Sequence, residues 1–281
     1  MNDSRISPPA IAPALLMPGY NVSATVAGAL TGLSERTLAR LAEVIFIDNA
    51  SRDDTLAQVR RLQQGSGTLA RKLTVIGNRT NHGLGGSLKV GIRYILERGH
   101  GAFIIVHSDQ QGDNERIVGG FFQQMDAHPG WDMVVASRFI DPSAIAGYDW
   151  LRTLGNRYFN LMTRLLTGVR MSDAGTGIML LKSRLLHQVP YPNLSSSLYF
   201  NPMLNILLYG NPALEIHEVP LHWRDSAVPS TVVPMKYVTE LMKILLVARL
   251  RRLVGRPPFP DRVDPDWIQA FPHQVWPAAQ S

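Results

Sequence analysis

The sequence predicts an α/β fold, a mostly parallel sheet flanked by helices, followed by a basic amphipathic helix. Three observations predict it. Short apolar runs alternate with helical patterns, as in strand–helix–strand units around a parallel sheet. The runs are apolar on both faces, as strands covered by helices on both sides must be. The chain has 281 residues, 45% hydrophobic and 18% charged. That is enough for one large core and too apolar for wholesale disorder.

The runs Ala14–Met17, Val44–Ile47, Leu73–Ile76, Phe103–Val106 and Met133–Ala136 read as strands. Helical patterns cover about 24–41, 54–64, 85–98 and 114–127 between and after them. Farther on, Asp149–Thr167 reads as a helix and Asp173–Gly177 as a turn before a strand at Ile178–Leu181. A helix at Ser197–Tyr209, a strand at Leu214–Val219 and a long amphipathic helix at Met235–Val254 complete the pattern. The expected organisation is a flexible leader over 1–12, a main domain over 13–234, the basic helix over 235–256, and a Pro-rich extended tail over 257–281. The tail is either disordered or laid across the domain or a partner.

Composition removes several classes. The chain has no cysteine, which excludes disulfides, zinc–thiolate sites and cysteine nucleophiles and fits the cytoplasm. The longest apolar runs are about five residues, such as Ile244–Ala248, against the roughly 20 of a membrane span. The N-terminus lacks the apolar region of a signal peptide. Net charge is +6, and Lys236–Arg256 carries six basic residues and one acidic. Charge this localised argues against a nucleic-acid footprint. It leaves two readings of the late helix: a packed helix with cations near its negative end, or an interfacial helix on anionic lipid.

In parallel sheets, ligands bind at the carboxyl ends of the strands, so the residues after each run carry the chemistry. His107, Asp109 and Gln111 alternate, and in an extended stretch would face one side. All three can ligate a divalent cation, Asp109 being the hard oxygen donor; the alternative is that Asp109 only caps a turn. Asp48 sits at a strand tip, placed to receive N–H donors from a nucleobase. Ser51, Asp53 and Asp54 read as helix caps. Asn81-His82-Gly83-Leu84-Gly85-Gly86 has the look of a phosphate loop. Leu88 stands where the dinucleotide fingerprint needs its last glycine, which disfavours a dehydrogenase. Asp173 is either a general base or holder of a sugar hydroxyl, or the head of an Asx turn. His217 and His222 read as structural. Trp223 and Arg224 would set a ring and a cation beside a phosphate.

In order and spacing these motifs resemble the family 2 glycosyltransferases with the Rossmann-like GT-A fold, in particular their dolichol-phosphate mannose synthase-like branch. The resemblance runs from about Ala14 to Ser230. Pro18-Gly19-Tyr20-Asn21 is similar to P-x-Y-N-E, Ile47 to Thr55 to V-D-D-G-S-x-D-x-T, and Asn81-His82-Gly83 to N-x-G. Asp109-Gln110-Gln111 resembles the end of D-x-D-x-Q, and Ala136-Ser137-Arg138-Phe139 resembles G-S-R-F. Asp173–Gly177 resembles D-x-x-S-G, and Glu218-Val219-Pro220 with Trp223-Arg224 resembles E-V-P-x-x-W/F-x-x-R. Val228 to Thr231 stands in place of a G-x-S-K loop.

The resemblance implies an inverting transferase that moves a hexose from a GDP- or UDP-hexose. Pro18, Tyr20, Asn21, Asp48, Asn81, Gly83, Ser108 and Asp109 would hold the donor. Asp109 and Gln111, with His107 in place of the family's first Asp, would hold Mn²⁺ or Mg²⁺, the imidazole favouring Mn²⁺. Arg138, Trp223, Arg224 and Ser230 would meet the diphosphate or the acceptor, and Asp173 with Arg138 would be catalytic. The first acceptor expected is a polyprenyl phosphate, with peripheral membrane contact at the inner face of the membrane. The alternatives are a hydroxyl of a small molecule or glycan, or a non-catalytic sugar-nucleotide-binding relative. Homo-oligomerisation is left open.

Overall fold

The structure, a computed structural model, describes residues 11–141, 150–223 and 234–278. One eight-stranded sheet runs through it in the order β7-β5-β6-β4-β1-β2-β3-β8. The parallel strands are β1 (Ala14–Gly19), β2 (Val44–Asp48), β3 (Leu73–Asn78), β4 (Ala102–Ile105), β5 (Met133–Ser137) and β7 (Ile216–Pro220). Against them run β6 (Met179–Lys182), between β4 and β5, and β8 (His273–Trp276), beside β3. This is the mostly parallel sheet that the apolar runs predict.

Alternate residues of each strand feed two cores. Leu16, Ile45, Ile47 and Ile105 face one way, with Leu88, Ile92 and Ile95 of α5 (Gly83–Glu97). Helices α8 (Phe200–Tyr209) and α9 (Pro234–Leu253) close that side through Phe200, Leu204, Leu241 and Leu245. Leu15, Met17, Val44 and Phe46 face the other way, against α1 (Val26–Thr31), α2 (Glu35–Arg40), α3 (Thr55–Gln63) and α6 (Asn114–Ala127). The remaining helices are the short α4 (Thr68–Lys72) and α7 (Trp150–Thr167), which packs on α9.

Two expectations are corrected here, and one of the alternatives left open for the tail is found. The single helix over about 24–41 is two, because α1 ends at Gly32 and Ser34 caps α2, accepting the Thr37 N–H at 3.2 Å. The tail is laid across the domain. Trp276 pairs with Val75 in the sheet, and Trp267 meets Tyr191 edge-on at 5.7 Å. The late helix is less two-faced than expected, because Leu246, Val247 and Leu250 point outward while Leu241, Leu245 and Ala248 are buried. Its arginines are partly spent on the fold. Arg251 donates to the Pro257 carbonyl at 2.7 Å, and Arg252 donates to the Thr167 carbonyl that ends α7. Among the described residues, no helix is long and apolar enough to cross a membrane.

Candidate active site

The loops after the parallel strands are tied together before any ligand arrives. Ser108 Oγ donates to the Pro18 carbonyl at 2.8 Å, and Thr25 Oγ1 donates to the Ser108 carbonyl at 2.9 Å. Asn21 sits at φ 53°, in the left-handed region that Asn tolerates. Its N–H donates to Ser51 Oγ at 2.9 Å, and its Oδ1 accepts the Arg52 N–H at 2.8 Å. Ser108 and Asn21 therefore act as joints between strand ends. Tyr20 beside them stays 38% exposed.

Asp48 closes β2 and is buried. Its Oδ2 accepts the Ser51 N–H at 3.1 Å, while Oδ1 is buried with no partner among the described residues. Burial pushes its pKa up, and the Ser51 contacts only partly offset that. A buried acceptor without a donor is costly.

The loop read as a phosphate cradle is a packing joint instead. Asn49 Oδ1 accepts from Asn78 Nδ2 at 3.1 Å and from the His82 N–H at 2.9 Å. Asn81 Oδ1 accepts from Asn49 Nδ2 at 3.0 Å and from the Gly83 N–H at 2.8 Å. The Gly85 and Gly86 N–H groups donate to the Ser197 and Ser196 carbonyls at 3.2 and 2.9 Å. At Gly83, φ is 73°, and a Cβ would stand 2.4 Å from the Ser196 carbonyl oxygen. The glycines admit the turn before α8, and that turn consumes the N–H donors an anion would use.

The 107–111 segment is bent rather than extended, with Gln110 at φ 55°. His107, Asp109 and Gln111 therefore do not share one face of a strand. His107 and Asp109 still converge, Nδ1 to Oδ2, at 4.0 Å. Gln111 meets Asp109 through its main chain, its N–H donating to Oδ1 at 3.1 Å. Burial holds the His107 imidazole below its usual pKa, with Asp109 opposing. A neutral ring nitrogen and a carboxylate oxygen so placed could together hold a divalent cation of borderline softness.

Trp223 roofs this corner. It meets His107 edge-on at 5.9 Å, and the Arg138 guanidinium lies 5.9 Å from its ring centre. Arg138 grips Asp173 twice, Nε to Oδ2 and Nη2 to Oδ1, each at 2.7 Å. The Arg138 main-chain N–H adds a third bond to Oδ2 at 3.2 Å. So held, Asp173 is the ion-pair partner of Arg138. Arg224 and Ser230 lie outside the described residues.

Residues 14–189, more than half of the chain, match the family described as Glycosyl transferase family 2. The chain belongs to that family. A 212-residue stretch is 24% identical to the uncharacterized protein MJ1222 of Methanocaldococcus jannaschii, covering 74% of this chain and 79% of that one. The family 2 fold here also superposes on glucosyl-3-phosphoglycerate synthase from Mycobacterium tuberculosis. Its complex with UDP gives a TM-score of 0.59 at 16% identity, covering 95% of this chain and 88% of the other. Its complex with Mn²⁺, UDP and phosphoglyceric acid gives 0.57 at 15%, covering 95% and 87%. At that identity the likeness establishes the shared GT-A fold.

The family motifs leave out a layer of amides behind the Asp173 turn. Asn160 Oδ1 accepts the Ala174 N–H at 2.9 Å, and Asn205 Nδ2 donates to the Thr176 carbonyl at 3.0 Å. Asn201 is buried so close to Gly177 that a Cβ there would lie 2.1 Å from its Nδ2 and 3.4 Å from His107 Nε2. The signal was legible: Asn201 and Asn205 are one helical turn apart in an otherwise apolar helix. Past Ser172, a cleft of about 520 Å³ opens along α7, lined in part by Arg164, Arg170 and Glu218.

Proposed function

We propose that this family 2 glycosyltransferase moves a hexose from a UDP-hexose, with a divalent cation at Asp109 and His107, to a small phosphorylated acceptor through its hydroxyl. The observation that carries the donor half is Asp48, whose buried Oδ1 at the strand tip has no partner among the described residues. The imide N–H of uracil is a donor of the kind that atom lacks. The cation, when bound, would stabilise the charge developing on the departing diphosphate.

Support for the acceptor half comes from the structural neighbour, solved with UDP-glucose together with phosphoglyceric acid or glycerol 3-phosphate. Here an acceptor phosphate entering beneath Trp223 would compete for the Arg138 guanidinium. Drawing Arg138 onto the phosphate releases Asp173, which then takes the hydroxyl proton as general base. On this reading the ion pair keeps the base closed until the acceptor arrives, and Arg164 and Arg170 hold a second anionic group of the acceptor in the cleft.

The second reading, a polyprenyl phosphate at a membrane surface, is favoured by one observation. Leu154, Tyr158, Leu161 and Leu165 expose an apolar stripe on α7, and Leu246, Val247 and Leu250 expose another on α9 packed beside it.

The test is calorimetric titration of UDP and GDP, each with Mn²⁺, Mg²⁺ and EDTA, on the wild type and Asp109→Ala. Transfer from UDP-glucose is then measured to 3-phosphoglycerate, to glycerol 3-phosphate and to polyprenyl phosphate in vesicles. UDP binding that needs metal and fails in Asp109→Ala is expected. GDP preference refutes the donor assignment, and transfer to the lipid alone replaces the first acceptor by the second.

A further inference from the structure

The opposite edge of the sheet holds a second cluster of metal-ligating side chains. His128 ends α6, Glu215 precedes β7, and His217 is the second residue of β7. One ligand atom from each of the three lies within 4.8 Å of the other two. His217 Nε2 is 2.8 Å from Glu215 Oε1, and the His128 and His217 rings stack at 3.9 Å with 19° between their planes. Register places the cluster: β5 and β7 run parallel with Val134 opposite His217, so these residues stand at the amino ends of the strands. Asp48, His107 and Arg138 stand at the carboxyl ends.

The surroundings suit a ligand role for Glu215. The Glu215 carboxylate lies over Gly130, its Oε2 2.4 Å from where a Cβ at that position would stand. The Glu215 main chain is fixed separately, its N–H donating to Asp132 Oδ2 at 3.1 Å. His128 follows the last turn of α6, where the helix dipole favours a cation.

We infer that His128, Glu215 and His217 bind a borderline first-row divalent ion, with Zn²⁺ as its probe. Two imidazole nitrogens and one carboxylate oxygen are the donor set such an ion prefers over Mg²⁺ or Ca²⁺. Ligand bonds of about 2 Å need the three donor atoms roughly 3.3 Å apart. Side-chain rotation must supply that and part the two stacked imidazoles, whose ring-plane lone pairs converge on one ion only when the stack opens. Glu215 at 46% and His217 at 22% exposed have room to turn. Water completes the coordination. The bound ion pins the edge strand β7 to the end of α6 and is independent of the nucleotide.

The full chain, stripped with EDTA and dialysed, is titrated with Zn²⁺ by calorimetry and with Co²⁺ by visible absorption. The titration is read in the Asp109→Ala background, which removes the His107–Asp109 cation site. There one site is expected, with an intense tetrahedral Co²⁺ band and a Zn²⁺-dependent rise in Tm. His217→Ala and the milder His128→Gln should each weaken Zn²⁺ at least about tenfold, the low end of what losing even an outer-shell partner costs. In the otherwise wild-type chain both should leave UDP binding with Mn²⁺ unchanged, and Asp109→Ala should keep the Zn²⁺ site. The inference is overturned by Zn²⁺ affinity that survives both histidine variants, by its loss in Asp109→Ala, or by the absence of saturable binding.

Discussion

Arg138 and Asp173 form a bidentate ion pair, two contacts of 2.7 Å, with only 1% of the Asp173 side chain exposed. The pair joins the end of β5 to the turn before β6. Breaking a buried pair from one side strands the other charge, which costs about 3–5 kcal/mol. Arg138→Ala is therefore expected to lower stability by that order in urea unfolding. Asp173→Asn keeps the volume and should fold, bind UDP as the wild type does, and lose transfer by about 10²-fold or more, as loss of a general base does. Equal loss of UDP affinity in Asp173→Asn would place the residue in donor binding instead.

Asp48 sets function against stability. Its pKa is raised by burial, so the native state holds the proton more tightly than the unfolded chain. The sign follows: Asp48 becomes a liability as pH rises from its unfolded pKa through its folded one. Asp48→Asn removes the buried charge and can still accept the Ser51 N–H. It should raise Tm at pH 7 and weaken UDP binding, a trade seen where a site needs an unsatisfied group. A Tm that falls together with affinity would show that Asp48 is a scaffold residue.

The strands were legible because burial on both faces leaves β2 as Val-Ile-Phe-Ile-Asp and β5 as Met-Val-Val-Ala-Ser, with the polar residue marking each tip. The clustering of Asp48, Asp109, Arg138 and Asp173 at one end of the sheet was legible from their places after, or in the turn between, the strands. Who pairs with whom was not. The Arg138–Asp173 pair spans 35 residues, and local spacing carries no information at that range. Asn81–Gly86 misled for the same reason. A glycine-rich helix start looks alike whether its N–H groups face a phosphate or, as here, the Ser196 and Ser197 carbonyls. The bend at 107–111 turns on Gln110 at a positive φ, which its residue type does not announce.

At the amino edge of the sheet, Glu43 is nearly buried and takes hydrogen bonds from Thr74, from Tyr94 at 2.9 Å and from His100 at 2.7 Å. Burial alone would raise its pKa, but these donors outweigh burial and lower it. A depressed carboxylate contributes stability above its unfolded pKa of about 4.5 and loses it as pH falls through the folded value. Glu43→Gln should therefore be less stable than the wild type at pH 7. The gap should close in acid below that range, as read by urea midpoints across pH. A gap independent of pH would assign the cost to packing.

Lys89 tests burial from the basic side. It is 3% exposed on α5, with Nζ 3.1 Å from Ser196 Oγ and 5.5 Å from the Phe271 ring of the tail. Burial pulls its pKa down to about 8. The unfolded chain therefore binds more protons than the native one between that value and 10.5, and stability rises with pH across that window. The gain attributable to Lys89 is about 3 kcal/mol at one pKa unit per 1.36 kcal/mol. Lys89→Met fills the same space without the charge. It should be more stable than the wild type at pH 7, with the advantage shrinking as pH approaches 10. The variant also separates two roles for the tail. If Phe271 docks on α5 only through apolar contact, limited proteolysis at 257–281 should be slower in Lys89→Met. Faster cleavage would show that the ammonium and the Phe271 ring hold the tail in place through a cation–π contact.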